Sequence, residues 1–154
     1  MSAVLEFSPD DLAQRKRSML ARMTALLGLR SPLKSEDMLV DVARQRLAPR
    51  AIRHLAAAGL SARHLSFIIP ARTLSHRNSK GERLTVEESD RALRLARIVA
   101  LADIVFGDHG KALRWLDSSK KQFGGASALD MTGTETGARL VEELLVRIDE
   151  GYFA

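Results

Sequence analysis

The segment that most restricts the fold runs from Thr85 to Gly107. It opens T-V-E-E, a capping box in which the Thr85 hydroxyl takes an amide three residues on and Glu88 reaches back. From Ala92 to Phe106 only Arg94, Arg97 and Asp103 carry charge, and Gly107 is the natural stop. A long helix that is apolar on most sides must be surrounded, either at the centre of a core or in an interface between chains. Both remain open for a C-terminal half of 70 residues.

The rest of the chain predicts helices joined by short turns. Ser8-Pro9-Asp10-Asp11 is a cap, a proline at the first helical position and acids at the positive end of the dipole; this helix runs to about Leu27 and stops at Gly28. Ser35-Glu36-Asp37 opens a second, to about Leu47. Pro49 opens a third, which Gly59 ends. Ser61 caps a short fourth, and Pro70 or Ala71 begins a fifth that ends near Asn78. Asp108 caps a helix from His109 to Leu116, residues 118–133 form a loop, and Thr134 caps a last helix from Glu135 to about Glu150. That helix carries Leu140, Val141, Leu144, Leu145 and Ile148 as an apolar stripe. Only Ser66–Ile69 hints at strand alternation, and it is too short. The expected fold is all-α, with an N-terminal helix-turn-helix bundle over 1–84 and a small helical domain over 85–154.

Composition excludes several classes. There is no cysteine, so disulfides, thiolate zinc sites and a cysteine nucleophile are out, and a reducing cytoplasm fits. No apolar run approaches the 18 residues or so of a membrane span. Met1–Leu5 is too short for the core of a secretion signal and acids follow at once, so no leader is expected. The net charge of +5 is divided unevenly: residues 1–84 hold 15 Lys+Arg against 7 Asp+Glu, a net of +8, and residues 85–154 hold 9 against 12, a net of −3. A basic half fits a polyanionic partner, nucleic acid above all.

Two candidate sites follow. In the first, helices at 61–67 and 71–78 around a tight turn have helix-turn-helix proportions, held together by Leu65, Ile69 and Leu74. Arg72, Thr73, Ser75, His76 and Arg77 then face outward, and the set suits a major groove, since Arg reads guanine edges and Ser or Thr reaches bases and phosphates. Lys80 and Arg83 sit beside the backbone, and Arg63 belongs to the same DNA-binding set. The second site is the tail: Trp115, the loop glycines Gly124 and Gly125, and Gly151-Tyr152-Phe153-Ala154, aromatic anchors beside flexible glycines. Enzyme signatures are missing: His54, His64, His76 and His109 are scattered, and there is no H-E-x-x-H, P-loop or G-x-S-x-G. Neither an enzyme, a cofactor nor a metal is expected.

An ordered series of segments carries a family resemblance over about 95 residues. They are I-I-P-A-R-T-L-S-H-R (68–77), G-E-R-L-T-V-E-E-S-D-R-A-L-R-L-A-R-I (81–98), V-F-G-D (105–108), A-L-R-W-L (112–116), F-G-G-A-S-A-L-D (123–130) and T-E-T-G-A-R-L-V-E-E-L-L-V-R-I-D-E-G (134–151). The series resembles the antitoxins with an Xre-type helix-turn-helix and an Xre/MbcA/ParS toxin-binding domain. The resemblance implies a type II toxin–antitoxin system whose toxin has a RES domain and consumes NAD. It also implies binding to that toxin, repression of the antitoxin's own operon through operator DNA, and a homodimer that assembles into a larger complex. It places the recognition helix at Arg72–Arg77 and the toxin-facing positions at Trp115, Gly124, Gly125, Leu129, Glu135, Gly137, Arg139 and Gly151–Ala154. The family's usual Pro-Asn pair is Ser119-Lys120 here, its proline before Leu-Asp is Ala128, and its two leucines after the aspartate are displaced by Met131-Thr132-Gly133. These departures predict a looser loop. Two other readings stand beside it, a repressor whose C-terminal half only dimerises and an all-α polar or scaffold adaptor that does not bind DNA.

Overall fold

The computed structural model describes residues 8–151. Their helices are α1 (Pro9–Leu27), α2 (Asp37–Gln45), α3 (Arg50–Ala57), α4 (Ala62–Leu65), α5 (Ala71–Lys80), α6 (Val86–Phe106), α7 (His109–Asp117), α8 (Ala128–Met131) and α9 (Glu135–Asp149), with one 3-10 turn at Lys121–Phe123. Among the described residues there is no strand, only an isolated antiparallel bridge between Ser119 and Ser127. Among the described residues no helix is long and apolar enough to cross a membrane.

Capping explains where the helices start. Ser8 and Thr85 form full capping boxes with Asp11 and Glu88, and Ser61, Asp108 and Thr134 each accept an amide of their helix's first turn. α8 lies inside the segment expected to be loop. Its signature, Ser127-Ala128-Leu129-Asp130, is also a capping box, but it serves only four residues.

The apolar helix α6 is buried by its own chain. Ala92, Leu93, Leu95, Ala96 and the run Ile98–Ala102 are all buried. α1 and α2 pack on it from the N-terminal half and α7 and α9 from the C-terminal half. Alanines at 92, 96, 100 and 102 let these neighbours approach closely. α1 contributes Met19, Leu20, Met23, Leu26 and Leu27, one stripe at helical spacing, and α9 contributes Val141 and Leu145. One hydrophobic core therefore runs through both halves, and each large aliphatic side chain buried in it contributes about 1.5–3 kcal/mol.

Ion pairs stitch the outer helices to α6. Arg97 bonds Glu142 of α9 and also Glu36, and Arg94 reaches Glu135 at 3.0 Å. Asp103 takes Arg22 of α1 at 2.6 Å and the His109 ring at 2.7 Å; the other ring nitrogen of His109 donates to the Ala58 carbonyl at 2.6 Å. His109, isolated in sequence, is thus a three-way joint.

α2 ends at Gln45, two residues before the expected Leu47. Arg46 turns the chain at φ 68°, the sole non-glycine residue with positive φ among those described, a conformation that costs about 1–3 kcal/mol. The turn is held in place from outside. The buried Leu47 amide donates to Ser89 Oγ at 2.9 Å, its carbonyl accepts from the Leu84 amide at 2.9 Å, and the Arg46 side chain bonds the carbonyls of Leu84 and Arg83.

Candidate functional site

α4 and α5 flank a turn whose apolar residues point inward. Leu65, Ile68 and Ile69 are buried and Leu74 packs on the core. The Arg91 guanidinium of α6 clamps the turn, donating twice to the Ile68 carbonyl at 3.0 and 3.1 Å. Ile68, where a glycine is common in such turns, is there to fill the core.

α5 has no buried residue. Arg72, Ser75, His76 and Lys80 are exposed, Thr73 is half-buried and Arg83 is exposed just beyond the helix. Arg77 corrects the outward-facing expectation. Its side chain is only 17% exposed and turns back onto Glu88, itself 8% exposed, at 3.1 Å, with Glu82 at 3.9 Å. Glu88 also accepts the Thr85 amide at 2.8 Å, so Arg77 ties α5 to the first turn of α6. Arg63 is 70% exposed yet leans on Asp130 of α8 at 2.9 Å.

Asp130 is a further point where the helix-turn-helix meets the C-terminal half. His64, 3% exposed beneath Phe67, contacts Ser61 Oγ through Nδ1 at 2.8 Å and Asp130 through Nε2 at 3.3 Å. Serine, histidine and aspartate are the members of an acyl-transfer triad. Here the Ser61 hydroxyl accepts the His64 amide as the α4 cap and the ring is buried, so the series acts as a structural tie. The sequence reading missed it, because His64 and Asp130 are 66 residues apart; the only signal was the Ser127–Asp130 capping box.

Burial alone would raise the Asp130 carboxyl. The Ser127 amide and hydroxyl, the His64 ring and the Arg63 guanidinium outweigh it and hold the carboxyl below the ordinary carboxylate range. A lowered carboxyl stabilises the fold above its unfolded pKa of about 3.9, and the contribution is lost as pH falls through the folded value. Asp130→Asn is therefore expected to lower the melting temperature at pH 6–7, with the gap to the wild type closing toward pH 3. A gap that does not change with pH would refute this assignment.

The C-terminal positions separate into two groups. Gly124, Gly125, Glu135, Arg139 and Gly151 are exposed. Glu135 and Arg139 line a groove of about 520 Å³ between α2, α6 and α9, with Val40 and Val86 on its walls. Leu129 and Gly137, by contrast, are buried, which corrects their placement on a partner-facing surface. A Cβ on Gly137 would fall 1.9 Å from the Met131 carbonyl oxygen, so this glycine lets α9 pass over the end of α8. Trp115 is half-buried against Phe106, with ring centroids 5.4 Å apart. The Lys120 ammonium sits 4.2 Å above its indole and bonds the Trp115 and Ser118 carbonyls at 2.5 and 3.1 Å; burial pushes this lysine's pKa down. Tyr152, Phe153 and Ala154 lie outside the described residues.

The loop expected to be loose is closed by hydrogen bonds. Lys120 N–H meets the Ala126 carbonyl, Gly125 N–H meets the Lys120 carbonyl, and Ser119 Oγ donates to the Gly125 carbonyl at 2.7 Å. Gly124 and Gly125 take φ of 63° and 93°, which a side chain would disfavour.

Comparison with known proteins finds two family descriptions in order along the chain. The family description "Antitoxin Xre-like helix-turn-helix domain" matches residues 38–97, and "Antitoxin Xre/MbcA/ParS C-terminal toxin-binding domain" matches residues 101–151. Three similar proteins are each named Antitoxin Xre. The one from Pseudomonas putida is 49% identical over 85 residues, 55% of this chain and 54% of the relative. The one from Yersinia enterocolitica is 39% identical over 87 residues, 56% and 59%. The one from Photorhabdus laumondii is 34% identical over 84 residues, 54% and 57%. The chain thus spans somewhat over half the length of the curated relatives it matches. With both domains present in order over well over half of its length, the chain belongs to the Xre/MbcA/ParS antitoxin family, an all-α protein with a helix-turn-helix domain followed by a helical toxin-binding domain.

Proposed function

We propose that this chain is the antitoxin of a type II toxin–antitoxin system and neutralises a RES-domain, NAD-consuming toxin by covering its active site. The observation that carries the reading is the order of the two matched domains, an antitoxin Xre-like helix-turn-helix followed by a toxin-binding domain. The antitoxin supplies no catalytic group. Its acidic C-terminal half complements a toxin site built for an anionic dinucleotide. The contact surface is formed by Gly124, Gly125, Glu135 and Arg139 with the Gly151–Ala154 tail. Co-expression with the product of the neighbouring gene tests this: restored growth supports it, while continued toxicity with a stable complex refutes active-site occlusion.

The same protein represses its own operon in the cytoplasm. A homodimer lays two copies of α5 in the major groove about one DNA turn, ~34 Å, apart. Arg72, Ser75 and His76 face the bases, and Arg63, Lys80 and Arg83 the backbone. Arg72→Ala is expected to weaken operator binding by about 1–3 kcal/mol, and Lys80→Ala to flatten the salt dependence by about one unit. A gel-shift titration across salt concentrations measures both. Unchanged affinity and slope when Arg72→Ala and Lys80→Ala are combined would remove α5 from the interface, and neutralisation of toxin should be unaffected in either case.

A further inference from the structure

We infer that Arg30, Arg46, Arg50 and Arg83 form a second phosphate-binding site, a clamp for the DNA backbone that flanks the α5 footprint. This rests on the DNA-binding reading above and extends it from α4 and α5 to Arg30, Arg46 and Arg50, which join Arg83.

The four arginines line one cleft of about 340 Å³ between the end of α1, the α2–α3 turn and the segment after α5. Leu27, Leu29, Val42, Leu47 and Ala51 contribute its apolar surface, and no Asp or Glu is among its lining residues. Arg22, Arg63, Arg77, Arg94 and Arg97 each have a carboxylate partner, whereas none of the four cleft arginines has one among the described residues. Four like charges around one cavity repel each other unless an anion joins them.

Two of the guanidinium groups are fixed in advance. Arg46 donates to the carbonyls of Leu84 and Arg83 at 2.6 and 3.1 Å, and Arg83 donates back to the Arg46 carbonyl at 2.8 Å. Neutral carbonyls hold these side chains without cancelling their charge. Each guanidinium keeps donors to spare, and its planar fork suits phosphate oxygens. The strained backbone of Arg46 is spent on this reciprocal pair.

The position fits a flanking backbone. Only Gly81 and Glu82 separate Lys80, the last residue of α5, from Arg83, so the two lie within about 11 Å of one another. Duplex DNA carries one charge per about 1.7 Å of axis, so a duplex seated on α5 offers phosphates within that reach. The ligand is therefore a phosphodiester, and free phosphate is the alternative source of the same chemistry.

The test uses the full chain, a duplex from the region upstream of its gene that covers the whole footprint, the same duplex trimmed to the α5 contacts, and inorganic pyrophosphate. Arg30→Gln with Arg50→Gln is the variant of choice, because neither side chain has an ion pair to lose; an unchanged melting temperature verifies the fold. The expected result is a slope of log affinity against log salt flatter by about 1.8 on the long duplex, two phosphates' worth, and no change on the trimmed one. Equal slopes for variant and wild type on the long duplex, with Arg72→Ala weakening both duplexes, overturn the clamp and leave α5 intact. If the wild type ignores both duplexes, the α5 reading itself fails. Pyrophosphate binding that is lost in the variant then makes the ligand a free phosphate and overturns the backbone assignment.

Discussion

Gly137→Ala is expected to destabilise the protein by about 2 kcal/mol, a fall of roughly 4–8 °C in melting temperature for a chain of this size. Two effects oppose one another. Alanine is the better helix former by up to about 1 kcal/mol, and Gly137 sits in the first turn of α9. Its methyl group, however, would come within 1.9 Å of the Met131 carbonyl oxygen and 2.9 Å of its carbon. Those are backbone atoms that cannot rotate away, and overpacking of this kind costs about 3 kcal/mol. The clash wins. The disturbance falls at the α8–α9 corner, so toxin binding should weaken with stability while the isolated contacts of α5 with DNA persist. Thermal unfolding alongside the two binding assays separates these outcomes. A variant as stable as the wild type would mean that α8 and α9 do not cross as described.

Arg77→Ala is expected to cost about 3 kcal/mol of stability, or roughly 6–12 °C. The substitution strands Glu88, which is nearly buried and remains fixed by the Thr85 amide and the capping box. Removing one partner of such a pair leaves an uncompensated charge, a larger penalty than the pair was worth. Arg72→Ala, a few residues away on the exposed side of the same helix, should change stability by less than about 0.5 kcal/mol. Adding Glu88→Gln to Arg77→Ala should recover part of the loss, and the double-mutant cycle gives the coupling directly. If Arg77→Ala instead melts like the wild type and loses only DNA binding, the side chain faces outward after all.

These two residues mark where the sequence ceased to be informative. Arg77 sits among Arg72, Ser75 and His76 on a helix with no buried residue, and periodicity cannot say that one arginine curls back. Its partner Glu88 was legible only as a cap, a role it does fill. Gly137 and Leu129 entered as partner-facing positions by resemblance alone, and burial shows what else they do. Arg72, Ser75, His76, Lys80, Glu135 and Arg139 were placed on surfaces and are exposed. The arginine cleft was partly visible as the basic surplus of residues 1–84, but only the packing of α1 against the α2–α3 turn brings Arg30 to Arg46, Arg50 and Arg83.

The sequence by itself determined where most helices begin and end. Caps, prolines and glycines act within one turn, and Ser8, Ser61, Thr85, Asp108 and Thr134 can be read without knowing any distant neighbour. It also determined that α6 had to be enclosed, since so few charged residues leave it no wet face. Only the tertiary structure decided what encloses it: α1, α2, α7 and α9 of the same chain. It likewise decided that His109 joins α1, α6 and the end of α3, that His64 and Arg63 meet Asp130, and that four arginines share a cavity without an acid. Each of these rests on side chains brought together from positions far apart in the chain, and a pattern read along one helix contains no term for them.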